Sequence, residues 1–199
     1  MSPRAGLDRA AVVEAAASLA DEEGLDGLSL ARLAERLGVR APSVYNHVAG
    51  LEGVRRGLAV LGTRELGERL RRAAVGKAGD EALEAIAEAY RTFVKERPGL
   101  YAATLPASRL REPAADPELQ AAEQEALEPV LVVLASSYGL EGEEALHATR
   151  CLRAAVHGFA TLEVAGGFGL VLDTDESFRR LVRTIIGGLR REELAWRVS

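Results

Sequence analysis

The chain has 199 residues, 48% of them hydrophobic, a formal charge of −5 and a single cysteine. That length supports a sizeable core in one medium domain or two small ones. The negative sum argues against a broad basic surface for nucleic acid, and a lone Cys151 excludes an internal disulfide. No apolar run is long enough and charge-free enough to span a bilayer or to lead secretion, so a soluble, cytoplasmic protein without membrane contact is expected.

Apolar residues recur at helical spacing nearly throughout, with no sustained alternation, which predicts an all-α fold. The first helix starts at Asp8, an N-cap residue with Leu7 and Val12 placed as a hydrophobic staple, and breaks at Gly24. A second carries Leu30, Leu33, Ala34 and Leu37 on one stripe. Gly38 follows at the position that needs positive φ, and Val39 packs back over the turn. The third opens with Pro42 in its first turn and runs to about Val48, with Val44 and Val48 inward and Ser43, Asn46 and His47 outward. A short helix held by its predecessor, with polar and aromatic side chains outward, is how a helix-turn-helix presents its second helix to a DNA major groove. The local charge permits this without demanding it. Six arginines between Gly24 and Arg64 face only Asp26, Glu35 and Glu52, but including Asp21, Glu22 and Glu23 cancels the excess.

A fourth helix begins near Leu51 and contains Gly53, Gly57, Gly62 and Gly67, each unfavourable in a helix interior. Close packing explains them, and so does a compliant connector. The run Arg71–Gly79 loses apolar periodicity, which divides the chain into 1–50, 51–79 and 80–199. A helix from Asp80 to Lys95 is ended by Arg97-Pro98-Gly99. A short helix over Leu100–Leu105, a loop over Pro106–Pro117 and a helix over Glu118–Tyr138 kinked at Pro129 follow. The last two helices span Glu143–Ala165 and Glu176–Leu194. Phe178, Leu181, Val182, Ile185, Ile186 and Leu189 form the cleanest stripe in the chain and, with Phe159, predict a homodimer interface, Gly187 and Gly188 letting a second backbone approach.

Catalysis is not expected: there is no nucleophile elbow with a Ser–His–acid set, no phosphate loop and no paired-histidine metal spacing. Glu143, His147 and Cys151 share a helical face, but one helix rarely completes a metal site, so neither metal nor cofactor is expected.

With these residues in place the chain resembles transcriptional regulators of the tetracycline-repressor (TetR) type over roughly Leu7–Leu61. The resemblance rests on Ala20-Asp21-Glu22-Glu23-Gly24-Leu25, Leu28-Ser29-Leu30, Leu33-Ala34, Leu37-Gly38-Val39 and Pro42-Ser43-Val44-Tyr45-Asn46-His47-Val48. Further on, Ala155-Val156-His157-Gly158-Phe159 resembles a C-terminal subfamily with a Trp-His-Gly signature, with Val156 where Trp would stand. The resemblance implies a DNA-reading head, a connecting helix and a C-terminal domain for effector binding and dimerisation. It implies that Ser43, Tyr45, Asn46 and His47 meet phosphates or base edges and that Ala41 and Pro42 touch a thymine methyl. Arg40 stands where a capping Ser or Thr is common and trades the cap for a phosphate contact. Ala31-Arg32 inverts a frequent Arg-Ala pair, and Leu51 replaces a Lys anchor that Arg55 or Arg56 would replace in turn. The expected partners are a double-stranded DNA operator and a small-molecule effector. Tyr90, Phe93, Tyr101, Leu127, Leu131, Cys151 and His157 are candidates for the effector pocket, although ordinary core accounts for them equally well. A DNA-binding protein without an effector is the competing expectation.

Overall fold

The computed structural model describes residues 7–105 and 116–196, with the stretch 191–196 as backbone. The described residues form nine helices and no strand: α1 (Arg9–Glu23), α2 (Leu30–Leu37), α3 (Ala41–Tyr45), α4 (Gly50–Ala74), α5 (Gly79–Glu96), α6 (Pro98–Ala103), α7 (Pro117–Tyr138), α8 (Gly142–Val164) and α9 (Thr174–Trp196). The fold is all-α. No helix among the described residues is long and apolar enough to cross a membrane.

Local chemistry sets most boundaries. The Asp8 carboxylate accepts the Ala11 N–H at 2.8 Å, and the Ser29 hydroxyl accepts the Arg32 N–H at 3.3 Å. Each such cap contributes on the order of 1 kcal/mol. At the end of α2, Gly38 adopts φ 65° and donates to the Glu35 carbonyl while Val39 donates to that of Ala34. That pair of bonds closes the helix as a Schellman motif. The third helix is shorter than its apolar pattern suggests. It ends at Tyr45, and the chain continues to Val48 in turns that still bond back to the Val44 carbonyl. The fourth runs without a break to Ala74, into the segment expected as a boundary, and α7 passes through Pro129 as one helix. Of the expected loop, residues 106–115 lie outside the described ones.

Packing gathers the chain into two compact units that differ from the three segments drawn from composition: residues up to Arg64 with Arg97–Gln120, and Glu65–Glu96 with Ala121 onward. In the first, α6 lies on α1. Gly99 meets the backbone of Ala20 so closely that a Cβ would collide with its carbonyl, and Asp21 accepts from the Leu100 N–H at 2.9 Å and from Arg97 Nε at 2.6 Å. The glycines of α4 are also places of close approach: a Cβ at Gly57 would stand 2.6 Å from a Val13 methyl, and one at Gly67 2.9 Å from the Ala126 Cα.

In the second unit α5, α8 and α9 pack on one another. Phe178, Val182, Ile186 and Leu189 are buried here within their own chain. This corrects the expectation that they form an interface between copies: the stripe needed an apolar partner, and its own chain supplies one. Leu181 and Ile185 remain half-buried, as does Phe159, whose ring contacts Phe168 and Phe178 at 4.6 and 5.2 Å.

Beside these rings Arg91 is only 2% exposed. Its Nε and Nη2 donate to Glu163 at 2.7 and 2.6 Å, Nη2 also reaches Asp175 at 2.7 Å, and the guanidinium sits 4.8 Å from the Phe178 ring centroid. The bonds from Arg91 hold the Glu163 carboxyl below the usual carboxylate range, and the Glu163 bond raises Arg91 in turn. Glu163→Gln removes the charge that takes two of the Arg91 bonds and leaves Asp175 as its bonded carboxylate, so it should lower unfolding stability by about 1–3 kcal/mol, measured by denaturant titration. A depressed native pKa stabilises above the ordinary glutamate value of about 4.3 and loses that effect as pH falls through the lowered value. The wild-type advantage over Glu163→Gln should therefore be full at neutral pH and shrink on acidification.

Candidate nucleic-acid interface

The second and third helices make a small rigid unit because their inner side chains, Leu33, Ala34, Val44 and Val48, are buried together with Val12, Val13 and Ala16 of α1. This burial fixes which way the rest of α3 points. Tyr45 is 59% exposed, so it is not a core residue. Pro42 and Asn46 are exposed, and Ala41, Ser43 and His47 partly so. The structure thus brings the expected recognition residues of α3 and its trailing turn onto the outward side of one element.

The arginines are less available than their number suggests. Arg32 is held by Glu23 and by Glu35 at 3.1 Å, and Arg36 by both carboxylate oxygens of Glu22. The Arg36 bonds keep Glu22 below the usual carboxylate range. Arg56 is committed to Asp116 and to Glu118 at 3.2 Å, and Glu118 also meets Arg64 at 3.3 Å. Asp116 meanwhile caps α7, accepting the Glu118 and Leu119 N–H groups at 3.1 and 3.3 Å. Of Arg55 and Arg56, the two candidates for the anchor missing at Leu51, Arg55 is the less committed. Among the described residues its one ion pair, with Glu52, is long at 3.6 Å. Arg40 caps α3 without a side-chain bond, and no ion pair joins it to a described residue.

The candidate pocket residues differ in burial. Tyr90 and Phe93 are buried, Leu127, Leu131 and His157 partly buried, and Tyr101 belongs to the first unit. Burial, and then Arg153, push the His157 imidazole below its ordinary pKa. Cys151 is exposed, on the flank of the buried face of α8 that carries Ala148, Leu152 and Val156. Among the described residues no group of three or more His, Cys, Asp or Glu side chains is placed to hold a metal. Sequence reasoning missed a cavity of about 350 Å³ between α5 and α9, lined by Glu84, Glu88 and Arg91 on one side and by Asp175, Phe178 and Val182 on the other. Its signal was present as helical spacing on both segments, but charged residues at such spacing read as a solvated face.

Because Arg40 has no described carboxylate to leave, a phosphate contact from it costs no competing pair. Arg40→Ala should weaken DNA binding roughly equally across sequences and reduce the slope of log affinity against log salt by about one. Fluorescence anisotropy across a salt series measures both.

Comparison with known proteins agrees with this geometry. Residues 12–47 match the family described as bacterial regulatory proteins, tetR family, and residues 83–185 match a tetracyclin repressor-like C-terminal domain. An uncharacterised HTH-type transcriptional regulator of Mycobacterium tuberculosis is 39% identical over 187 residues, covering 94% of this chain and 84% of that protein. The similarly uncharacterised HTH-type regulator YobS of Bacillus subtilis is 38% identical over 189 residues, covering 95% and 96%. In fold, a TetR variant from Acinetobacter baumannii, solved in complex with minocycline, superposes with a TM-score of 0.69 at 24% identity over 94% of this chain and 98% of that one.

Proposed function

The chain belongs to the tetR family of bacterial regulatory proteins, and on that footing we propose a ligand-responsive repressor that binds a palindromic operator as a homodimer and releases it when a small molecule binds. The observation that carries the reading is the α2–Gly38–α3 unit, whose inner face is fully committed to the core while Tyr45 stands outward. In this reading residues 1–50 read DNA, 51–79 connect, and 80–199 bind effector and partner. Ser43, Tyr45, Asn46 and His47 meet base edges and phosphates, Ala41 and Pro42 approach a thymine methyl, and Arg40 and Arg55 hold the backbone. Arg32 joins them only by exchanging Glu23 and Glu35 for a phosphate.

The proposed dimer surface moves to the outward faces of the last two helices. On α8 the residues four apart, Leu146, Ala154, Gly158 and Leu162, have Leu at the ends and small side chains between, with Arg150 completing the row. On α9 Leu181 and Ile185 share an outward side with the smaller Thr184 and Gly188, and a Cβ at Gly158 or Gly188 would meet nothing within 4 Å. Small residues in the middle of two apolar stripes suit the close crossing of a two-fold four-helix interface. Effector binding in the second unit would shift the population away from the head spacing that suits successive major grooves.

Selection from a random duplex pool at near-physiological salt should enrich a palindrome with half-sites about one helical turn, ~34–36 Å, apart. Tyr45→Ala combined with His47→Ala should weaken that site several-fold with helicity unchanged. Failure to enrich any sequence would overturn the DNA reading, and unchanged operator affinity across a metabolite panel would remove its ligand-responsive half. Leu162→Asp places a charge on a side chain 51% exposed in the single chain. It should leave the fold intact, halve the mass seen by light scattering and reduce operator affinity with it.

A further inference from the structure

We propose that the loop between α8 and α9, residues 165–173, is an arm that closes on α8 of a second copy of this chain. Its apolar tip covers that helix, and Asp173 pairs with the partner's Arg150 and the partner's Arg153. This rests on the dimer of the proposed function and adds to it a contact that fixes the register of the two copies.

Each protomer leaves an apolar surface and a set of charges uncompensated. From Ala165 to Leu172 the sequence AGGFGLVL holds no charge. Phe168 is seated on Phe159, ring centroids 4.6 Å apart, while Leu170, Val171 and Leu172 are 77%, 104% and 71% exposed. Three consecutive large apolar side chains in water differ from the scattered single exposures of an ordinary surface. In the unit that contains α5, α8 and α9, the other arginines whose side chains are described each meet a carboxylate of their own chain. Arg150 and Arg153, exposed about one turn apart on α8, meet none among the described residues. Asp173 is their complement. Its Oδ1 accepts the Asp175 and Glu176 N–H groups at 2.9 and 3.3 Å as the cap of α9, and no ion pair joins it to a described cation.

A two-fold axis perpendicular to α8 makes the two copies of that helix antiparallel, and at such a contact every pairing is reciprocal. Gly158, where a Cβ would meet nothing within 4 Å, is the place for the closest crossing. Arg150 lies as far before Gly158 as Gly166, where the arm begins, lies after it, and Arg153 as far before as Glu163 after. A crossing there sets both arginines level with the partner's arm. Asp173 stays at that end because Arg91, bonded to Glu163 and Asp175, holds the start of α9 to the end of α8. The tip then lies along the first half of the opposite α8, where Leu146 is half exposed. A lipid surface is the poorer occupant, since Asp173, Asp175 and Glu176 follow the tip directly and repel an anionic bilayer.

Sedimentation equilibrium on the full-length protein measures the dimer constant. Leu170→Ser, Val171→Ser and Leu172→Ser together change only exposed side chains, so the circular dichroism spectrum should hold while the dimer Kd rises about tenfold or more. Asp173→Asn keeps a capping side chain and should raise Kd about fivefold, as should Arg150→Gln combined with Arg153→Gln. Joining those changes should cost no more than either alone, because they remove the same contact. Losses that multiply in the joined variant overturn the charge pairing, and a wild-type constant in the serine variant overturns the arm. If that variant instead loses binding to phosphatidylcholine vesicles, the tip belongs to a lipid surface. Leu162→Asp separates this proposal from the dimer beneath it. A dimer that Leu162→Asp leaves intact, or a wild-type chain that sediments as a monomer, sinks both, whereas a dimer split by Leu162→Asp but unmoved by the arm variants sinks the arm alone.

Discussion

Nucleating a helix fixes several dihedral angles before its first hydrogen bonds compensate, so five residues such as Ala41–Tyr45 hold a helical shape only through their neighbours. The constraint that orients α3 is the burial of Val44 and Val48, with α3 packed on α2 and α2 on α1. Everything outward on α3 inherits its direction from that burial. The Gly38 turn sets the angle at which α3 leaves α2, and a side chain with a Cβ would be strained at its φ of 65°. The outward residues of α3, the proposed reading residues, are therefore placed by apolar contacts they do not themselves make.

The charge of the head reflects the same economy. Arg32 and Arg36 look like a basic ridge in sequence but fold onto the acidic end of α1, and Arg56 and Arg64 fold onto the start of α7. These pairs orient helices and neutralise field, and exposed pairs of this kind add little stability. What remains for phosphates is sparse: Arg40, a loosely held Arg55 and the polar side chains of α3. A reader with few phosphate contacts has little non-specific affinity to spend and depends more on base contacts. That reconciles a chain of net charge −5 with its family.

The head was legible because its signals are local. Asp8, Ser29, Gly38 and Pro42 each act within a few residues of themselves, and caps and turns obey short-range rules. Long-range pairing was not legible. The Phe178–Leu189 stripe announces that one face of α9 is buried, but periodicity carries no information on whether the covering surface is another copy or the same chain, and α5 and α8 proved to be the cover. The affiliation of α6 was equally hidden, because it depends on one glycine meeting one backbone carbonyl 79 positions away, between Gly99 and Ala20. Arg91 was invisible for a different reason. On a helix rich in charge nothing distinguishes a solvated arginine from one enclosed by Phe159, Phe178 and a glutamate from another helix.

Each packing unit contains its own arginine–carboxylate clamp, Arg56 with Asp116 and Glu118 in one, Arg91 with Glu163 and Asp175 in the other. Clamps of this sort cost desolvation and would be replaceable by apolar packing if stability were their only use. Their geometry is directional where an apolar contact is adaptable, so each ties particular helices together at a particular register. The first ties the start of α7 to the first half of α4, and the second ties α5 to α8 and to the start of α9. Between the units the chain passes through α4, the α5–α6 junction and α7. In the proposed ligand-responsive reading the internal register of each unit would have to survive any change elsewhere, and directional bonds placed inside each unit would preserve it.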